Sequence, residues 1–284
     1  MSTLQLWTLG AIAGFTIFLG LPIGRLQRPA PRLQALLNAI AIGVLVFLFF
    51  DILSHANEVV ETALTAAKDS TGSWTRFVSY AALLTIGLAV GLVGLVKYER
   101  VLSKRRIPRS VGAAAATAPN VAHPRRLDAL LAEPGKRLAF YIAVGIGLHN
   151  FAEGLAIGQS AAKGDISLAV LLIIGFGLHN ATEGFGIVAP MAAEGDRPSV
   201  GFLAVLGLIG GGPTFVGTIV GHAVVNDALF LAFLALAAGS ILYVVVQLVQ
   251  VAAKLGHREV FAWGLLIGLL AGIATDYVLV AAGA

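Results

Sequence analysis

The sequence predicts an all-α integral membrane protein with eight transmembrane helices, and three observations carry the prediction. Of 284 residues, 58% are hydrophobic and 12% charged, against about 25% charged in a soluble domain. Mean hydropathy is +0.89. The apolar residues gather into eight runs, each near the roughly 20 residues that a hydrocarbon core requires. These runs are 5–24, 35–53, 77–97, 138–160, 166–190, 200–222, 228–250 and 260–282. The 34 glycines fit the same class, because helices in lipid approach closely through small residues. Gly87 and Gly91, Gly154 and Gly158, Gly207 and Gly211, and Gly264, Gly268 and Gly272 all hold small-xxx-small spacing.

The first run has no basic leader and no small-residue cleavage site, so it reads as a retained helix rather than a signal peptide. The second ends near Asp51, with His55, Glu58 and Glu61 beyond it at the predicted outer mouth. Acidic mouths concentrate cations. Glu58 and Glu61 read as a solvated acidic loop, and Asp51 with His55 as candidates for the ion entrance. The third run leads into a long basic stretch, 98–136, with an Ala run at 113–116 and several prolines. That composition reads as a flexible linker touching anionic lipid, with His123 a solvated loop residue. Runs four and five are joined by about five residues near Ala161–Asp165, which makes them adjacent and antiparallel. In run six, Gly212-Pro213 should interrupt and kink the helix. His222 at the end of that run and the intramembrane Asp276 of run eight complete the pathway candidates. Trp7, Tyr80, Tyr98, Trp263 and Tyr277 sit near run ends as interface anchors.

Loop charge sets the orientation. With the N-terminus outside, sixteen of the 19 Lys and Arg residues fall inside: Arg25, Arg28, Arg32, ten from Lys97 to Arg137, Arg197, Lys254 and Arg258. Only Lys68, Arg76 and Lys163 fall outside. Both termini are therefore expected to be extracytoplasmic, in a multi-pass protein of the cell membrane. The chain divides into helices 1–3 (1–97), a cytoplasmic basic loop (98–136), helices 4–5 (137–190) and helices 6–8 (191–284). The net charge of +4 belongs to the inner loops, so the expected partner is the bilayer and not nucleic acid. The absence of Cys excludes disulfides and thiolate metal sites.

Runs four and five share a polar phrase. Gly147-Leu148-His149-Asn150-Phe151-Ala152-Glu153-Gly154 is echoed by Gly177-Leu178-His179-Asn180-Ala181-Thr182-Glu183-Gly184. Burying an unpaired amide costs about 2–7 kcal/mol, and a charge costs more. On a helix, residues i, i+3 and i+4 share a face, so His149, Asn150 and Glu153 project together, as do His179, Asn180 and Glu183. Both sets lie near the bilayer midplane at a rise of about 1.5 Å per residue, and the antiparallel pairing makes them meet there. Imidazole nitrogen with carboxylate and amide oxygens suits Zn(II), Fe(II), Mn(II) or Cd(II), and two carboxylates neutralise a dication. Gly154 and Gly184 leave room for partner helices.

These spans, the long loop after the third, and His-Asn-x-x-Glu-Gly on the fourth resemble the ZIP (Zrt/Irt-like) family of divalent metal transporters, in its prokaryotic type. The fifth-run phrase is similar to that family's second metal-binding signature. The resemblance implies import of zinc, or of Fe(II), Mn(II) or Cd(II), into the cytoplasm. It implies a 3+2+3 bundle with runs 1–3 and 6–8 as inverted repeats around runs 4 and 5. It also implies a homodimer. Carried over by position, His149, Asn150, Glu153, His179, Asn180 and Glu183 are the metal ligands, and the ion is cargo rather than a cofactor. The chain departs from the family at Gly212, where members with a two-metal centre place a Glu before Pro213, so one ion is expected instead of two. Asp51 stands near where many members carry a His, and Ala152 and Thr182 replace a proline inside each phrase.

The expected activity is alternating-access transport and not catalysis. The alternative is an intramembrane metal-dependent enzyme using the same ligands. Against it, the chain has no His-Glu-x-x-His pattern, and the phrases run His-x-x-x-Glu, not the Glu-x-x-His order of di-iron bundles.

Overall fold

The computed structural model describes residues 2–25, 31–104, 133–162, 164, 166–195 and 197–281. Most of the predicted basic linker, with the 113–116 Ala run and His123, lies outside the described residues, as do Arg28, Lys163 and Asp165. The described elements are helical, with no strand among them. In chain order they are α1 (Thr3–Phe15), α2 (Ile17–Gly20) with a 3-10 turn Leu21–Arg25, and α3 (Pro31–Lys68). Next come α4 (Trp74–Ala89), a π-helical turn Val90–Gly94, α5 (Leu95–Lys104), α6 (Pro134–Ala162) and α7 (Ile166–Glu194). Finally come α8 (Val200–Ala223), α9 (Asp227–Leu255) and α10 (Arg258–Ala281).

Among the described residues, seven helical segments are long and apolar enough to cross a membrane: Thr3–Arg25, Pro31–Lys68, Trp74–Val101, Pro134–Ala162, Val200–Ala223, Asp227–Leu255 and Arg258–Val278. The described residues are those of a helical, multi-pass membrane protein. α7, 29 residues long, carries the second polar phrase. α6 is the central helix: 72% of its apolar window is buried, against 11% for Trp74–Val101. Ile142, Ile146, Leu155 and Ile157 of α6 are fully enclosed, so its polar residues are held in the driest part of the bundle.

Four details differ from the sequence expectation. The first run is not one helix: Thr16 breaks it, its Oγ1 donating to the Ala13 carbonyl at 2.7 Å, and Pro22 then falls in a 3-10 turn. α3 does not end near residue 53 but runs 38 residues to Lys68, because neither Gly nor Pro occurs between residue 53 and Gly72 and the Ala-rich sequence there favours helix. His55, Glu58 and Glu61 therefore ride on a helix and not in a loop. The third run is longer than expected and contains the π turn at Val90–Gly94. Pro213 sits inside a helix that stays continuous from Val200 to Ala223.

Small residues bring the helices into backbone contact, and the contacts form matched sets. A Cβ on Gly154 would press on the Thr214 carbonyl, with the Gly217 Cα and Thr218 nitrogen of α8 within 2.9 Å. A Cβ on Gly184 would meet the Ile17 carbonyl, the Gly20 Cα and the Leu21 nitrogen. Gly43 of α3 meets Leu265, Gly268 and Leu269 of α10, and Gly239 of α9 meets Leu88, Gly91 and Leu92. Leu36 and Ala39 lie against Gly264, and Phe47 against Gly272; the ascending register makes α3 and α10 parallel.

Candidate metal centre

α6 and α7 lie side by side and place both phrases in the core. His149, Asn150 and Asn180 are 0% exposed, Glu183 1%, Glu153 3% and His179 9%. The histidines do not pair with the glutamates of their own helix. His149 Nε2 lies 2.7 Å from Glu183 Oε1, and His179 Nε2 lies 2.7 Å from Glu153 Oε1. Sequence spacing puts each His and Glu on one face; the packing of α6 on α7 then crosses them. Each bond holds one proton, Nε2–H against carboxylate in the ionised form. The Thr182 hydroxyl donates to the His179 carbonyl at 2.7 Å within the same turn of α7.

The asparagines anchor the site to the flanking helices. Asn150 Nδ2 donates to the Gly210 carbonyl of α8 at 2.9 Å and reaches Glu183 Oε2 at 3.4 Å. Asn180 Nδ2 donates to the Ala13 carbonyl of α1 at 3.1 Å. Both amide groups spend their N–H on backbone and so aim their oxygens elsewhere. Asn150 Oδ1, Asn180 Oδ1, Glu153 Oε2 and His149 Nδ1 are buried without a hydrogen-bond partner, as is Thr214 Oγ1. Buried acceptors are almost always satisfied. The four on α6 and α7 are lone-pair donors, the chemistry a hard or borderline cation takes up. Among the described residues, no three His, Asp or Glu side chains gather closely enough to hold an ion together. The six predicted ligands thus stand as two proton-linked pairs flanked by two amide oxygens.

Of the four pathway candidates, the structure brings two to the site. Asp51 and Asp276 line a cavity of about 140 Å³ between α3, α7 and α10, with His179, Phe176 and Thr275 on its wall. His55 turns back along α3, with Nδ1 2.9 Å from the Asp51 carbonyl oxygen, and its side chain is 61% exposed. His222 ends α8 beside Gly158 of α6, away from that cavity.

Sequence reasoning passed over a second polar cluster. Glu99 of α5 accepts from the Tyr243 hydroxyl and from Gln247 Nε2, both at 3.0 Å. Its signal was present at a distance in the chain: Gly87, Gly91 and Glu99 match Gly264, Gly268 and Asp276 at one constant offset. Compared with protein-family models and with curated proteins, the chain matches none.

Proposed function

We propose that this protein is a transporter that carries a divalent transition-metal ion, zinc foremost, into the cytoplasm through the centre formed by His149, Asn150, Glu153, His179, Asn180 and Glu183. The observation that carries the proposal is the set of buried, unpartnered lone pairs beside the two crossed His–Glu pairs. An arriving dication would displace the shared protons and take Asn150 Oδ1, Asn180 Oδ1, the carboxylates and the imidazoles as ligands. Two carboxylates balance its charge, and a nitrogen and oxygen set without thiolate lets it leave again. With Gly212 in place of a third carboxylate, one ion is bound at a time. Asp51 and Asp276 attract the ion to the outer side of His179.

In this reading α7 is an eighth span, and an inverted-repeat arrangement places three spans on each side of α6 and α7, an architecture suited to alternating access. Gly10, Gly14, Gly20 and Gly24 correspond at one constant offset to Gly207, Gly211, Gly217 and Gly221. The contacts follow that correspondence. Gly154 meets Thr214, Gly217 and Thr218 where Gly184 meets Ile17, Gly20 and Leu21. Asn150 donates to Gly210 where Asn180 donates to Ala13. Gly43 meets Leu265, Gly268 and Leu269 where Gly239 meets Leu88, Gly91 and Leu92. A site at the junction of two such halves can be reached from either side in turn. The resemblance to ZIP transporters points the same way.

The test is flux. Purified protein in liposomes should accumulate Zn(II) and some of Fe(II), Mn(II), Cd(II) and Co(II) down an imposed gradient. Tight metal binding without flux would instead favour an intramembrane enzyme or a structural metal site.

A further inference from the structure

The correspondence between the halves extends to the cavity beside His179, and the two sides differ there. It maps Val44 onto Ser240, Phe47 onto Tyr243, Asp51 onto Gln247, Asp276 onto Glu99 and, between the phrases, His179 onto His149. On the Asp51 side these positions line a space of about 140 Å³. On the Glu99 side the counterparts are more enclosed: Ser240 and His149 are 0% exposed against 3% for Val44 and 9% for His179, Tyr243 is 1% and Gln247 8%, and Glu99 is half-buried at the rim.

The chemistry of the two sets explains the difference. Two carboxylates, Asp51 and Asp276, have no donor to offer each other and repel when ionised. At the related positions one acid is kept and the other partners have become donors. Tyr243 O–H and Gln247 Nε2–H both reach Glu99 Oε2 at 3.0 Å, and the Tyr141 hydroxyl reaches the Glu99 carbonyl at 3.5 Å. Hydrogen bonds to a carboxylate are the strong class, and two of them fasten α5 to α9, with a weaker contact from Tyr141 of α6 to the Glu99 backbone carbonyl. The π turn Val90–Gly94 lies just before this fastened segment. Such turns are rare and occur frequently at functional sites.

Resting on the transport reading above, we propose that the ion leaves on the Glu99 side, and that Glu99, Tyr243 and Gln247 form the inner gate, closed in this structure. Opening the gate breaks the Tyr243 and Gln247 hydrogen bonds and lets α5 swing from α9. The two-fold relation couples this to closure around Asp51 and Asp276.

The chain has no cysteine, so single-cysteine accessibility reads both sides cleanly. Thr275→Cys, on the wall of the outer cavity, reports the outer side, and Ser240→Cys, a near-isosteric change, reports the inner side. Each is labelled with a membrane-impermeant thiosulfonate in sealed vesicles of known orientation, without metal. In the otherwise unchanged chain, Thr275→Cys should react quickly from outside and Ser240→Cys slowly from inside. Adding Tyr243→Phe, which keeps the ring and removes its hydrogen bond to Glu99, should speed Ser240→Cys labelling about tenfold or more and slow Thr275→Cys labelling. Gln247→Asp, which sets two carboxylates against each other as on the outer side, should do the same without touching the tyrosine. Unchanged inner labelling in both variants overturns the gate, and so does a rise on both sides, which would mean general loosening. The readout needs no transport: labelling that fails to shift in protein that still moves metal contradicts the gate alone, while absent flux contradicts the transport reading alone.

Discussion

His149 faces Glu183 and His179 faces Glu153, so neither phrase makes a complete site without the other. Removing one member of a buried pair leaves the other uncompensated, at about 3–5 kcal/mol, whereas replacing both by apolar groups is often neutral. His149→Ala should therefore lower the melting temperature in detergent clearly, while His149→Leu combined with Glu183→Leu should melt near the unaltered protein yet transport nothing. A double variant as unstable as the single one would mean that the pair contributes packing and not charge balance. Gly212 offers a second test. A Cβ there meets nothing within 4 Å, so Gly212→Glu should fold and supply a third carboxylate. Calorimetric stoichiometry should then rise from one ion to two, and a single ion would show that Gly212 does not face the site. The six central residues were legible because polar groups stand out in apolar sequence. Which histidine would take which glutamate was not, because helical spacing puts both choices on one face and only the packing of α6 against α7 decides.

The elements are held together by backbone approaches that tolerate no side chain. Gly154→Ala would drive a methyl group into the Thr214 carbonyl and the Thr218 nitrogen, and overpacking of this kind costs about 1–3 kcal/mol or more. Thermal unfolding should show a marked loss for Gly154→Ala and Gly184→Ala, and almost none for Gly212→Ala. Equal shifts at all three positions would mean that helix propensity and not close packing governs. The helices themselves were legible from hydropathy, and so were the glycine stripes that join them. Their ends were not. Hydropathy stops reporting where α3 leaves the lipid, although Asn57 to Glu61 at 2.7 Å and the alanines after it keep the helix going to Lys68. The break at Thr16, where the hydroxyl donates to the Ala13 carbonyl, leaves no trace in hydropathy.

At the scale of the whole molecule, contacts recur in matched pairs around one buried polar cluster. The relation is hard to see in sequence because it survives mainly at glycines, and because the offsets differ between spans with loop length. It is plain in the contacts, where Gly217 and Gly20 occupy the same place against α6 and α7. Ion binding must release the protons held in the His–Glu pairs, so affinity should fall as pH falls, by up to about tenfold per pH unit for each proton displaced. Zinc titrations across pH, with proton release measured in weak buffer, check the sign and the count; affinity that rises in acid would contradict the ligand set. The most direct test of the central claim is zinc uptake into liposomes holding the unaltered protein, Glu153→Gln or His179→Gln. Saturable uptake that is lost in both variants, while both insert and remain helical, is the predicted result. Uptake by the variants equal to that of the unaltered protein would contradict the assignment of the ion to this centre.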